Sequence, residues 1–184
     1  MEDELLKWST RERNELLRTR VFTVMSQREE SATGIEGEYI ALDSPLCVVT
    51  VPVIEGDFVL VRQWRHGANR LTTEFPGGVI NSGEEPVDAA RRELLEETGY
   101  LAHRLTPLGC CNPNPALFNS RFYCFLADEL EETGMQHPDR DELISCVRVP
   151  IERVTEEFGS EEYSHAFMGT ALAFYFRYLS KNGQ

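Results

Sequence analysis

The sequence lacks long apolar segments and is poor in positive charge. Its longest apolar runs are far too short to cross a bilayer, and the N-terminal MEDELLKWSTRER is acidic and without the apolar core of a signal peptide. The chain has 18 Lys and Arg against 31 Asp and Glu, a net charge of −13, which disfavours sequence-independent binding to a nucleic-acid backbone. We therefore expect a cytoplasmic protein that binds neither nucleic acid nor membrane.

Paired cysteine motifs are also missing. The number of cysteines is odd, no two have C-x-x-C spacing, and the four histidines do not fall at zinc-finger distances from them. This pattern excludes a disulfide framework and predicts reduced, mostly buried thiols. The cysteines are Cys47, Cys110, Cys111, Cys124 and Cys146.

A mixed α/β (α+β) domain is predicted, with more strand than helix. The 184 residues suit one domain, or one domain with a small appendage. Alternating segments predict two strands, in RVFTVMSQRE and EGEYIALD, before a hairpin in PLCVVTVPVI and FVLVRQWR. The glycine-rich stretch HGANRLTTEFPGGVINSGEE is predicted to be mostly loop. Strand-like runs then follow in AHRLTPLGCC, RFYCFLADEL and LISCVRV.

Three helices are predicted. The first helix begins near Pro86 and ends at Gly99, and its apolar stripe consists of Val87, Ala90 and Leu94. A short helix is expected in PIERVTEEF, and a last one in SHAFMGTALAFYFRYLSK. Proline and glycine thus delimit the first helix, and Ser164 is the expected N-cap of the last.

Glutamates crowd one side of the first predicted helix. Glu93, Glu96 and Glu97 lie at i, i+3 and i+4, where like charges weaken a helix by roughly 0.2–0.5 kcal/mol per pair. A solvated acidic face would explain this stripe. The alternative is a site for Mg²⁺, a cation that takes oxygen ligands and shares them with substrate phosphates, and the nearby loop acid Glu84 favours it.

The spacing of these acids resembles the Nudix box, G-x5-E-x7-R-E-U-x-E-E-x-G-U. Every fixed position between Gly78 and Gly99 matches, and Tyr100, in the last aliphatic slot, is the one departure. The matching residues are Gly78, Glu84, Arg92, Glu93, Leu94, Glu96, Glu97 and Gly99. The resemblance implies an α/β/α sandwich with a mixed sheet and hydrolysis of a nucleoside diphosphate linked to another group X.

The same resemblance implies roles for the residues of the box. Glu93, Glu96 and Glu97 would bind Mg²⁺ or Mn²⁺, with the carbonyl of Gly78 as a further ligand. Arg92 would orient a glutamate, and Glu84 would support the helix or the metal ligands.

A general base is expected in the acidic segment EETGMQHPDRDEL, which lies between two predicted strands. In similar proteins it is often a glutamate just before the following strand, which indicates Glu142, with Asp141 in reserve. A solvated acidic turn would also explain this segment.

The segment VRQWRHGANRLTTEFPGG resembles the ADP-ribose pyrophosphatase branch of this family. Arg62 and Arg65 would bind diphosphate oxygens, although surface ion pairs would also explain them, and Glu74 opens the E-x-P-x-G that leads into the box. Pro115 falls close to a marker proline of ADP-ribose hydrolases, but the surrounding NPNPALFN departs from the usual glycine-rich turn. A proline-stiffened asparagine turn needs no ligand.

The N-terminal strands also resemble that branch, in which they form a sheet exchanged across a homodimer. Residues 1–45 are therefore predicted to be a dimerisation sheet, and residues 46–184 the hydrolase domain. Tyr39 lies where an aromatic would stack on the base, although a half-buried strand aromatic is the simpler interpretation.

The predicted function is Mg²⁺-dependent cleavage of a nucleoside diphosphate sugar, with ADP-ribose giving AMP and ribose 5-phosphate as the first candidate. The alternatives are cleavage of dinucleotides or nucleoside triphosphates, and a non-catalytic nucleotide sensor. A sensor is disfavoured because all the box glutamates are present.

Overall fold

The computed structural model describes residues 2–137 and 143–183, which fall into two compact units. The first contains Met1–Pro45 and Asn112–Arg121, and the second contains Leu46–Cys111 and Phe122–Gln184. A short helix, α1 (Glu2–Leu5), opens the chain. No helix within the described residues is long and apolar enough to cross a membrane.

The first unit is built on a three-stranded antiparallel sheet in the order β1-β2-β3. Its strands are β1 (Trp8–Arg18), β2 (Thr23–Ser31) and β3 (Glu36–Asp43). The pair β2 and β3 confirms the sequence prediction. No strand was predicted over β1, because its polar residues do not alternate and two register irregularities interrupt its pairing with β2. All eleven residues of β1 are exposed.

The second unit is built on a six-stranded sheet that is mixed, as predicted. The order β6-β5-β4-β8-β7 has β9 paired to β5, and β4 runs parallel to β8 while the other pairs are antiparallel. The strands are β4 (Cys47–Ile54), β5 (Asp57–Arg65), β6 (Arg70–Glu74), β7 (Tyr100–Cys111), β8 (Phe122–Glu132) and β9 (Ile144–Pro150).

One strand of this sheet was not predicted from the sequence. The segment predicted to be mostly loop contains β6, whose polar sequence RLTTE conceals a strand with its last three residues buried. Thr72, Thr73 and Glu74 find hydrogen-bond partners inside the protein, so their burial is compatible with their polarity.

Helices cover both faces of the mixed sheet. Helix α2 (Pro86–Thr98) packs with one face, and α3 (Ile151–Glu157) and α4 (Ala166–Lys181) pack with the other. The alternation of β4 shows this division, because Val48 joins the cluster under α2 while Val49 and Val51 join the cluster under α4. This arrangement confirms the predicted sandwich.

Two details of the predicted helices are wrong. Val87 is exposed, and the residues that α2 buries include a glutamate on the core-facing side: they are Ala89, Ala90, Leu94, Glu97 and Thr98. Ser164 does not cap α4, because its hydroxyl donates to the Glu161 carbonyl and His165 occupies the N-cap position.

All five cysteines lie within the described residues and none of them is in a disulfide, but, contrary to the prediction, they are not mostly buried. Only Cys124 is buried, Cys110 is exposed, and the other three are intermediate. Burial raises the pKa of the Cys124 thiol to about 12. The strands that carry the remaining cysteines lie partly open to solvent, which their apolar sequences do not reveal.

Candidate active site

Helix α2 places a carboxylate inside the protein at its C-terminal end. It begins at Pro86 and ends at Gly99, whose φ of 74° needs a glycine and whose N–H donates to the Leu95 carbonyl. Glu97 lies one turn beyond the buried Leu94 and is 3% exposed. The N–H of Gly77 donates to Glu97 Oε2 at 2.8 Å, so the buried carboxylate faces the glycine-rich segment before the helix.

Arg92 lies at the centre of the remaining acids of the box. Its Nε and Nη2 donate to the two oxygens of Glu84 at 2.8 and 2.9 Å. Its Nη1 donates to Glu93 Oε1 at 2.7 Å and to Glu96 Oε2 at 3.1 Å, and Nη2 also reaches the Val79 carbonyl. One guanidinium therefore offsets the repulsion that the sequence predicts along the helix.

The charges of this cluster are strongly coupled. The hydrogen bonds from Arg92, with a smaller contribution from the Asn81 N–H, lower the pKa of Glu84 to about 2. The same bonds raise the pKa of the Arg92 guanidinium, with Glu84 as the largest cause and Glu93 and Glu96 adding to it. Glu84 and Arg92 therefore stay charged throughout the physiological pH range.

Two glycines bring the backbone against this cluster. A Cβ built on Gly78 would lie 2.5 Å from the carboxylate carbon of Glu93, and one on Gly77 would lie 2.2 Å from the Val48 carbonyl oxygen. The Gly78 carbonyl accepts a hydrogen bond from the Val48 N–H at 2.9 Å. The Val48 backbone therefore leaves no room for a side chain at position 77, and a side chain at position 78 would displace the Glu93 carboxylate.

The donors around Glu93 fit a hard divalent cation in their chemistry. Glu93, Glu96, Glu97 and the Gly78 carbonyl offer only oxygen, as Mg²⁺ and Mn²⁺ require. Across residues 2–137 and 143–183, no three His, Cys, Asp or Glu side chains already form a metal cage. In this arrangement Arg92 provides the positive charge beside Glu93 and Glu96.

A cavity of about 700 Å³ adjoins the two glycines. Gly77 and Gly78 form part of its wall, and Arg65 faces it with a guanidinium held by Glu74 through bonds of 2.9 and 2.7 Å. Glu74 is 2% exposed and also accepts a hydrogen bond from the Thr72 hydroxyl. Burial alone would raise the pKa of Glu74, but the hydrogen bond from Arg65, the neighbouring His165 and the hydrogen bond from Thr72 together outweigh it and lower the pKa.

Arg62 does not share this cavity. It lies three residues before Arg65 on β5, and an odd spacing on a strand places the two side chains on opposite faces. Arg62 is exposed and borders Leu71 and Ile144 on a different surface.

Tyr39 and Pro115, far apart in the sequence, line one cavity of about 510 Å³ within the first unit. Trp8 lines it too and packs edge-on against Tyr39, with 5.5 Å between the ring centroids. Asn112 and Asn114 accept hydrogen bonds from backbone N–H groups of their own loop, which is the turn-forming role expected of asparagine.

The predicted general base, Glu142, and its reserve, Asp141, lie outside the described residues. The segment that precedes them contacts the C-terminal end of α2. The Gln136 amide donates to the Glu97 carbonyl, the His137 N–H donates to the Glu96 carbonyl, and Thr133 donates to the Gly99 carbonyl. Sequence reasoning missed these contacts, because the acceptors are main-chain carbonyls that every helix end presents.

The chain is similar in sequence and in fold to known hydrolases. ADP-ribose pyrophosphatase of Bacillus subtilis is 33% identical over 121 residues, which cover 65% of this chain and 65% of that protein. ADP compounds hydrolase NudE of Escherichia coli is 28% identical over 169 residues, 91% of this chain and 90% of that protein. A crystal structure of an ADP compounds hydrolase superposes with a TM-score of 0.85 at 27% identity, over 96% of each chain.

The match to a family model extends well beyond the helix and loop of the box. The model described as NUDIX domain covers residues 44–167, which include the whole glutamate cluster, Arg65 and Glu74. The fold, the spacing of the acids and this match agree, and they confirm the family that the sequence predicts. The chain belongs to the NUDIX domain family and is a Nudix hydrolase.

Proposed function

We propose that this enzyme is a Mg²⁺- or Mn²⁺-dependent hydrolase that cleaves the pyrophosphate bond of a nucleoside diphosphate sugar. ADP-ribose, which would give AMP and ribose 5-phosphate, is the best candidate, because relatives are named ADP-ribose pyrophosphatase and ADP compounds hydrolase. One observation carries the proposal: the glutamates gathered around Arg92 adjoin, through Gly77 and Gly78, the cavity in which Arg65 is fixed.

The cation would be held by Glu93, Glu96 and Glu97, with the Gly78 carbonyl as a further donor. When bound, it neutralises diphosphate charge and lowers the pKa of a nucleophilic water. Arg92 orients Glu93 and Glu96 through its Nη1. Glu142 is proposed as the general base that accepts the proton of this water.

Arg65 is proposed to bind the diphosphate. A guanidinium offers planar donors that match phosphate oxygens, and the bonds to Glu74 fix its orientation before substrate arrives. Glu74 would then act through Arg65, because its carboxylate is buried and already engaged. Arg62, on the opposite face of β5, would bind substrate only if a second molecule brought the diphosphate to that face.

Tyr39 and Pro115 are proposed to bind the base. Their shared cavity contains an exposed tyrosine ring beside Trp8, and aromatic faces bind bases by stacking. Replacing Tyr39 with Leu should raise KM for the substrate more than it lowers kcat.

A cytoplasmic homodimer is proposed, with the sheet of the first unit as the interface. Strand β1 is exposed along its whole length and carries exposed Leu16 and Leu17, and a sheet of three strands needs a covered apolar face to be stable. A monomeric mass by light scattering at micromolar concentration would contradict this assembly.

A phosphate-release screen tests the activity. The enzyme with Mg²⁺ is offered nucleotide sugars, dinucleotides and nucleoside triphosphates, and a coupled phosphatase reports any monophosphate product. Turnover of nucleotide sugars above the other classes is expected. Preferred turnover of triphosphates or dinucleotides would favour the alternative hydrolases, and metal binding without any turnover would favour a nucleotide sensor.

Glu97→Gln should lower this turnover at least about 10²-fold, while Glu131→Gln, the matched control, should leave it unchanged. Glu131 is an exposed glutamate on β8 whose carboxylate pairs with His103 on β7. Equal loss in both variants would contradict the assignment of the site.

A further inference from the structure

His165 faces the cavity of Arg65 but has no part in the catalytic roles proposed above. It directly precedes α4 and is 34% exposed, and its ring packs edge-on against Phe167 with 4.9 Å between the centroids. Its Nδ1 lies 3.7 Å from Glu74 Oε2. The ring is therefore held in place by an aromatic contact and by a buried carboxylate.

One carboxylate oxygen of Glu74 lies next to both His165 and Arg65. Oε2 accepts the hydrogen bond from Arg65 Nη2 at 2.7 Å and faces His165 Nδ1. The guanidinium and the imidazole are thus neighbours on the cavity wall. If Arg65 binds a phosphate of the substrate, His165 is therefore close enough to contact the group attached to that phosphate.

The surroundings of His165 favour a neutral ring. Burial is the largest effect and lowers its pKa; Arg65 lowers the pKa further, and Glu74 raises it in part. The N-terminal end of α4 also disfavours a positive charge there. The carboxylate beside Nδ1 favours the proton on that nitrogen, which leaves Nε2 as a hydrogen-bond acceptor. The contact found for this ring with a charged side chain, among the described residues, is made by Nδ1.

We propose that His165 is a specificity-determining residue, whose Nε2 accepts a hydrogen bond from a hydroxyl of the sugar attached to the second phosphate. This assignment rests on the proposed function and adds a contact to its X group. An acceptor fixed beside the phosphate-binding Arg65 distinguishes a hydroxyl-bearing group from an alkyl group, because only the hydroxyl can donate a hydrogen bond to it.

Two substrates and three variants test this role. ADP-ribose is compared with an alkyl ester of ADP, which retains both phosphates and lacks the sugar hydroxyls. His165→Ala should lower kcat/KM for ADP-ribose about 10-fold, mainly through KM, and should leave the alkyl ester within about 2-fold. His165→Gln, whose amide oxygen can accept a hydrogen bond, should restore much of the loss.

His103→Ala is the matched control. His103 is paired with a glutamate as His165 is, but it is exposed on β7 and should leave both substrates unchanged. Equal losses for both substrates in His165→Ala, or no loss for either, would overturn the proposal. If wild-type enzyme hydrolyses neither substrate, the proposed function fails. The role of His165 is then tested by calorimetry, in which His165→Ala should weaken binding of ADP-ribose and leave binding of the alkyl ester unchanged.

Discussion

Replacement of Arg92 by methionine should destabilise the metal-free protein far more than loss of an exposed ion pair. Methionine keeps the apolar stem and removes the guanidinium, so the change isolates charge and hydrogen bonds. Arg92 makes five hydrogen bonds, four of them to carboxylates of Glu84, Glu93 and Glu96. Its removal leaves these acids without a counter-charge.

The expected loss of unfolding free energy follows from the burial of Arg92. Breaking a buried ion pair by removing one partner costs about 3–5 kcal/mol. Arg92 is 28% exposed, so solvent screens part of this loss and the lower end, about 3 kcal/mol, is expected. For a chain of this length, each 1 kcal/mol lowers Tm by roughly 2–4 °C, so a decrease of about 6–12 °C follows.

Arg104→Met is the control. Arg104 also makes a bidentate pair, with Asp128, and a second contact to Glu129, but it is 56% exposed, so a far smaller loss is expected because solvent screens an exposed pair. The free energy of unfolding is measured by urea titration with EDTA, followed by far-UV circular dichroism. A loss in Arg92→Met no larger than that in Arg104→Met would refute the role given to Arg92.

Magnesium provides a second arm of the same experiment. Binding to the folded site should stabilise wild type, because a ligand that binds only the native state shifts unfolding by mass action. The loss caused by Arg92→Met should then shrink, since the cation neutralises the same acids. An unchanged loss with saturating Mg²⁺ would contradict metal binding at Glu93 and Glu96.

Three further predictions concern single groups. Glu97→Gln should keep the fold, checked by circular dichroism, and lower turnover by at least about 10²-fold in the phosphate-release assay; near-wild-type activity would contradict the metal site. Glu84 has a folded pKa of about 2, below an unfolded value of about 4.3, so its stabilisation is complete above the unfolded value and is lost as pH falls towards 2. The difference in unfolding free energy between wild type and Glu84→Gln, measured in EDTA, should therefore narrow from pH 5 to pH 2, and a constant difference would refute the coupling. Iodoacetamide should label the exposed Cys110 in the native protein and spare Cys124, whose pKa burial raises to about 12; mass spectrometry showing early labelling of Cys124 would contradict its burial.

Sequence reasoning predicted the glutamate helix well because its boundaries are local. Proline at the start and glycine at the end act through their own backbone, and both are visible without knowledge of the fold. It failed for β1 and β6, whose pairing is fixed by neighbouring strands and whose side chains are mostly polar. Hydrophobic alternation carries little information about such strands.

Local sequence patterns could not predict contacts between residues that are far apart in the chain. The spacing of Arg62 and Arg65 suggested a joint grip on phosphate, but the twofold period of β5 separates them, and this period was available in the sequence. His165 had no such pattern, since its relation to Glu74 depends on how the segment before α4 lies against β6. Only the assembled fold brings these two side chains together.

The acids of the box also differ in how they contact Arg92. Glu84 binds Arg92 through both of its oxygens, while Glu93 and Glu96 share a single nitrogen of the same guanidinium. A cation that recruits Glu93 and Glu96 would therefore leave Arg92 anchored by Glu84. Arg92 therefore gives these acids a counter-charge before any cation binds. On this argument Glu84 acts as the anchor of Arg92, and its loss should weaken metal binding without removing a ligand.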